Sequence, residues 1–71
     1  MSDFFDDELA ELEARVHSRA SGQIRDLRLS LHDDGVVLRG RTRSYHAKQM
    51  AQQAILEATR RPIRANEIEV V

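Results

Sequence analysis

Leu27, Leu29 and Leu31 alternate with Arg28, Ser30 and His32, and the alternation resumes after Asp34-Gly35. There Val36, Leu38 and Gly40 take one side, and Val37, Arg39 and Arg41 the other. A period of two marks half-buried strands, predicted over 24–32 and 36–43. Asp34-Gly35 is the expected two-residue hairpin turn, setting Leu31 opposite Leu38, Ser30 opposite Arg39 and Arg28 opposite Arg41. That last pair brings like charges together, unfavourably unless acids of a neighbouring strand or an anionic ligand intervene.

Elsewhere the period changes. Phe5, Leu9, Leu12 and Val16 recur at i, i+4, i+7 and i+11, one stripe of an amphipathic helix over 1–20. Acids crowd its first turn (Asp3, Asp6, Asp7, Glu8), Arg15 and Arg19 lie near its end, and Glu11 is placed to pair with Arg15, all in keeping with the helix dipole. Ser21-Gly22 breaks the period, with Gly22 the expected left-handed residue at the helix end. Ala47, Met50, Ala51, Ala54, Ile55 and Ala58 form the stripe of a second helix over 44–60, with Ser44 as N-cap and Pro62 preventing continuation. Its alanine-rich face lets the backbone approach a sheet closely. Ile68 and Val70, alternating with Glu67, Glu69 and Val71, predict a third strand over 66–71.

The order α-β-β-α-β predicts an α+β fold, a single domain over 1–71 with both helices on one face of a three-stranded mixed sheet. The strand-helix-strand crossover makes the third strand parallel to the second in direction. The pattern leaves open whether the third strand pairs with the first or the second.

A chain of 71 residues is near the lower limit for a single self-sufficient core, and with no cysteine it has no disulfide to help. Its hydrophobic fraction of 41% and charged fraction of 32% fit a small globular domain and neither disorder nor a membrane-spanning protein. The acidic start lacks the basic and apolar regions of a secretory signal, so a cytoplasmic location is the expectation, with peripheral membrane association left open. Net charge is −1, yet six of the twelve acids lie within residues 1–13 and every cation lies from Arg15 onward. From Ala14 onward the balance is +5, an asymmetry that marks a surface for anions or simply solvated arginines.

Candidate chemistry is sparse. His17, His32 and His46 fall on different elements without the spacing of a zinc site, and His32-Asp33-Asp34 reads as a turn before it reads as a cation site. Ser44 near His46 is better explained as a helix cap than as a nucleophile with its base. No cofactor is called for, and no enzyme is indicated. The preferred ligand site is Arg41, Arg43, Tyr45, His46 and Lys48, cations gathered at a helix start where free N–H groups suit a phosphate. The competing structural reading has Arg39 and Arg41 pair with Glu67 and Glu69 on the open sheet face. Tyr45, Gln49, Gln52 and Leu56 form a second stripe opposite the alanines, a candidate interaction surface that Phe4 joins, leaving monomer and homodimer both open. Nucleic-acid binding is disfavoured, because no Gly-x-x-Gly loop is present and the open face lacks stacking aromatics.

Leu29-x-Leu31-x-x-x-Gly35-Val36-Val37-Leu38-x-Gly40, then Ser44 with Lys48, Ala51 and Ala54, then Asn66-x-Ile68-x-Val70, resemble the BON domain family of bacterial osmotically induced periplasmic and nodulation proteins. The likeness covers 24–71 in pattern and the first helix in order alone. Arg61-Pro62-Ile63 replaces the family's usual glycine-valine pair, so an irregular start to the third strand is expected. The resemblance implies a non-enzymatic module proposed to bind phospholipids, with no shared catalytic residues to carry over. Anionic headgroups are thus the first expected ligand, and a protein partner or self-association the alternative.

Overall fold

The structure, a computed structural model, describes the backbone of residues 4–71 and side chains from Asp7 onward. Expectations resting on Asp3 and on the side chains of Phe4, Phe5 and Asp6 lie outside the described residues. The elements are α1 (Phe4–Arg19), β1 (Arg25–His32), β2 (Gly35–Thr42), α2 (Tyr45–Ala58) and β3 (Ile63–Val70). Their order is the predicted one, and the two helices pack on one face of a three-stranded mixed sheet.

The sheet order is β1-β2-β3, so β3 pairs with β2, in parallel, while β1 pairs with β2 antiparallel. The hairpin register differs from the predicted one. Leu31 faces Val36, Leu29 faces Leu38 and Arg28 faces Arg39, a shift of two residues that keeps each apolar set on its expected side. The turn residues are Asp33 (φ 50°) and Asp34 (φ 69°), both left-handed as this type of hairpin turn requires. Aspartate reaches that conformation with less strain than most residues, which frees Gly35 from the turn. Gly35 instead starts β2, where a Cβ would collide with the Arg64 side chain and lie 3.3 Å from the Pro62 carbonyl.

Gly40 has a related role. Between Arg25 and Arg28 the register shifts, with Asp26 left-handed (φ 54°), the signature of a β-bulge. A Cβ on Gly40 would stand 3.0 Å from the Arg25 carbonyl oxygen and 3.0 Å from Ile24 Cγ2, so its absence lets the bulged strand come close. The irregular start expected for the third strand is also present: β3 begins at Ile63, before the predicted 66, and the register shifts across Arg64.

α1 buries Leu12 and Val16, and Leu9 packs against the same core. Its end is a Schellman arrangement in which the Ser21 N–H donates to Ser18 O (3.3 Å) and the Gly22 N–H to His17 O (3.0 Å). Ser21 (φ 54°), not Gly22 alone, occupies the left-handed region there. α2 lays Ala47, Ala51, Ala54 and Ile55 against the sheet, where Leu38, Val36 and Ile68 are fully buried. Each such large side chain contributes about 1.5–3 kcal/mol by leaving water. Asn66 ties β3 to α2: its Nδ2 donates to the Lys48 carbonyl (3.1 Å) and to Gln52 Oε1 (3.3 Å), and its Oδ1 accepts from the Ile68 N–H (3.3 Å).

Candidate functional site

The face of the sheet away from the helices is organised in rows by the register. Ser30, Val37 and Ala65 form one row, and Val37 is only 7% exposed there although it belongs to the open side. Arg28, Arg39 and Glu67 form the next, and Arg25, Arg41 and Glu69 the last. Arginine therefore faces arginine across β1 and β2 in both charged rows. Such pairs cost roughly 0.2–1 kcal/mol each unless neutralised. In the first charged row Arg39 Nε lies 2.8 Å from Glu67 Oε1, the expected exposed ion pair. In the second, Arg41 and Glu69 are register neighbours but make no ion pair. Among the described residues Arg25, Arg28, Arg41 and Arg43 have no ion-pair partner.

Three of these converge. Where the turn after α1, the end of β2 and the start of α2 meet, a cleft of about 600 Å³ is lined by Arg25, Asp26, Arg41, Arg43 and Ser44, among others. Buried Thr42 holds the corner, its Oγ1 accepting from the Ser44 N–H (3.2 Å). Ser44 Oγ accepts from the Ala47 N–H (3.1 Å), the predicted N-cap bond. The first turn of α2 carries no acidic residue, so the positive end of its dipole adds to the arginines uncompensated.

Of the five residues proposed for a ligand, Arg41 and Arg43 line this cleft. Tyr45 and Lys48 line a different hollow, with Gln49, Gln52 and Asn66 along α2, and exposed His46 belongs to the lining of neither. Arg25 is the member that sequence reasoning missed. Strict alternation puts Arg25 on the opposite side from Arg28, and only the bulge at Asp26 returns it to the open face. The sequence holds only a faint trace of that bulge, an aspartate near the strand start, a residue type that tolerates the left-handed conformation.

Tyr45, Gln49, Gln52 and Leu56 do share the outer side of α2, with Tyr45 62% and Leu56 51% exposed; Phe4 lies outside the described side chains. His17, His32 and His46 are all exposed, and among the described residues no cluster of three or more His, Asp and Glu suits a metal. The two turn aspartates point to arginines instead, Asp34 to Arg61 and Asp33 to Arg64 (3.6 Å).

A second arginine centre lies at the turn end of the hairpin. Arg61 Nε and Nη2 donate to the two oxygens of Glu8 at 2.7 and 3.0 Å, and Nη1 donates to the Asp34 carboxylate. This fork ties α1, the hairpin turn and the segment before β3 together. The hydrogen bond from Arg61 holds the Glu8 carboxyl below its ordinary range, against the opposing effect of burial and helped by the Arg61 charge and a bond from Thr59. Glu8 in turn raises the already high affinity of Arg61 for its proton.

No family model, curated protein or solved structure matches this chain. Among the described residues no helix is long and apolar enough to cross a membrane.

Proposed function

We propose that this chain is a non-enzymatic, BON-like binding module that takes the phosphate of an anionic phospholipid headgroup in the cleft between Arg25, Arg41 and Arg43. The observation that carries this reading is the cross-strand pair Arg25 and Arg41, held side by side without a neutralising partner beside Arg43. Like charges kept together at a cost are relieved by an anion, and planar guanidinium groups match the oxygens of a phosphate. Tyr45, His46 and Lys48 follow the cleft along the chain, on the first turn of α2, with Tyr45 and Lys48 lining a separate hollow.

Magnitudes make the interaction peripheral. A basic side chain close to an anionic membrane contributes about 1 kcal/mol, so three arginines supply about 3 kcal/mol, a weak, reversible and salt-sensitive attachment. Amide chemical shifts of labelled protein, recorded with vesicles of phosphatidylglycerol and with vesicles of phosphatidylcholine, test it. Salt-sensitive shifts at residues 25 and 41–43 with the first lipid alone are expected; no shift at high lipid concentration removes the reading.

The outer side of α2 favours a second reading, self-association or a protein partner, because Tyr45 and Leu56 are large apolar groups exposed on one side. It requires a sedimentation coefficient that rises with concentration and falls back in Leu56→Glu, with no lipid preference.

A further inference from the structure

We propose that the ligand of the cleft is a phosphate ester whose alcohol part carries a primary amine, the phosphate lying with Arg25, Arg41 and Arg43 and the ammonium with Asp26 and Glu69. This rests on the reading that the cleft holds a phosphate. Beside the cleft, on the open sheet face, lies a shallower hollow of about 450 Å³ lined by Asp26, Arg39, Arg41, Glu67 and Glu69. Asp26 and Arg41 line both hollows, so the two are one continuous surface.

Charge changes sign along it. Arg39 and Glu67 neutralise each other at 2.8 Å, which leaves Asp26 and Glu69 as carboxylates without an ion-pair partner among the described residues. In the row Arg25, Arg41, Glu69 two cations are followed by an acid, each on the next strand, ~5 Å apart. A polyanion long enough to fill both hollows would meet the carboxylates of Asp26, Glu67 and Glu69. A simple phosphate would leave Asp26 and Glu69 unanswered. An ammonium group, with three donors and a positive charge, answers both while its phosphate answers the arginines.

The placement of Asp26 is built into the backbone. It occupies the left-handed position of the bulge, and Gly40 opposite it permits the close approach of the Arg25 carbonyl at 3.0 Å. Asparagine tolerates the same conformation, so Asp26→Asn removes the charge and leaves the bulge intact.

The test uses two pairs in which one member carries an amine and the other does not; the soluble pair differs in the amine alone, the vesicular pair also in a carboxylate. One pair is soluble, O-phosphoethanolamine against ethyl phosphate; the other is vesicular, phosphatidylserine against phosphatidylglycerol, two headgroups of equal net charge. Each is titrated into the wild-type chain and into the double variant Asp26→Asn/Glu69→Gln, following the amides of residues 25, 41 and 69. The aminated member is expected to bind about threefold to fivefold more tightly, the size of one or two exposed ion pairs. The pair that carries the preference identifies a free or a membrane-borne ligand. In the double variant the preference disappears while ethyl phosphate and phosphatidylglycerol bind at least as well as before. Equal binding of both members in both pairs, or a preference that survives the double variant, overturns the proposal and leaves the phosphate reading standing. Absence of all binding overturns both.

Discussion

This small domain contains two arginine centres at opposite ends of its hairpin, and they are solved differently. At the turn end Arg61 is half-buried and meets Glu8 and Asp34 in a fork of ion pairs. At the other end Arg25, Arg41 and Arg43 are exposed, line one cleft and meet no acid in an ion pair among the described residues. The first centre joins three segments of chain; the second joins none. An arginine whose donors are matched within the fold holds the fold together, whereas arginines gathered against their own repulsion are available to something outside it.

Substitutions can break this contrast from either side. Leu38→Ala removes a fully buried side chain from β2, the central strand, and should cost about 2–5 kcal/mol, read by urea unfolding. Since a domain of this length has only about 4–10 kcal/mol to lose, anion binding should weaken with the population of folded chain. Arg61→Gln should lower the unfolding midpoint clearly and leave headgroup binding unchanged, because the loss falls on α1 and the turn. Arg41→Gln should do the reverse, reducing vesicle binding about fivefold, the equivalent of about 1 kcal/mol, with unfolding unchanged or stability raised by up to ~1 kcal/mol. The smallest effect is expected at the end of α1, where Ser21→Gly relieves a left-handed serine and should stabilise by about 0.5–1 kcal/mol without touching either centre.

Acid separates the centres further. The folded Glu8 carboxyl titrates below its ordinary range, so it contributes stability that is present above the unfolded value and lost as pH falls through the lowered one. Stability of the wild type should therefore drop on acidification below the ordinary glutamate range. In Arg61→Gln that part of the slope should be flattened, while in Arg41→Gln it should remain.

The element order was legible because periods of two and 3.6 are written directly in Leu29, Leu31, Val36 and Leu38 and in Leu12, Val16, Ala47, Ala51 and Ala54. The turn was misread for a physical reason. Asp-Gly is a favoured hairpin pair, but Asp33-Asp34 also accepts two left-handed residues, and the close approach of the Arg64 side chain and the Pro62 carbonyl claims Gly35 for the strand. A shift of two preserves the faces, so nothing in the apolar pattern could distinguish the registers. Strand patterns carry no information on which neighbour β3 takes; the structure places it beside β2. Arg41 and Arg43 were visible as candidates from their position before Ser44, whereas Arg25 depended on a bulge that alternation alone does not reveal. The fork at Arg61 joins residues 53 apart in sequence, beyond the reach of any local spacing rule.

A single titration reads directly whether the two centres differ in availability. Labelled protein is titrated with ethyl phosphate at low salt, and the arginine side-chain Nε–H resonances of Arg25, Arg41, Arg43 and Arg61 are followed together. Movement of the first three, reversed by added salt, with Arg61 stationary, is the predicted result. Movement of Arg61 with the others, or of none of the four, would contradict it.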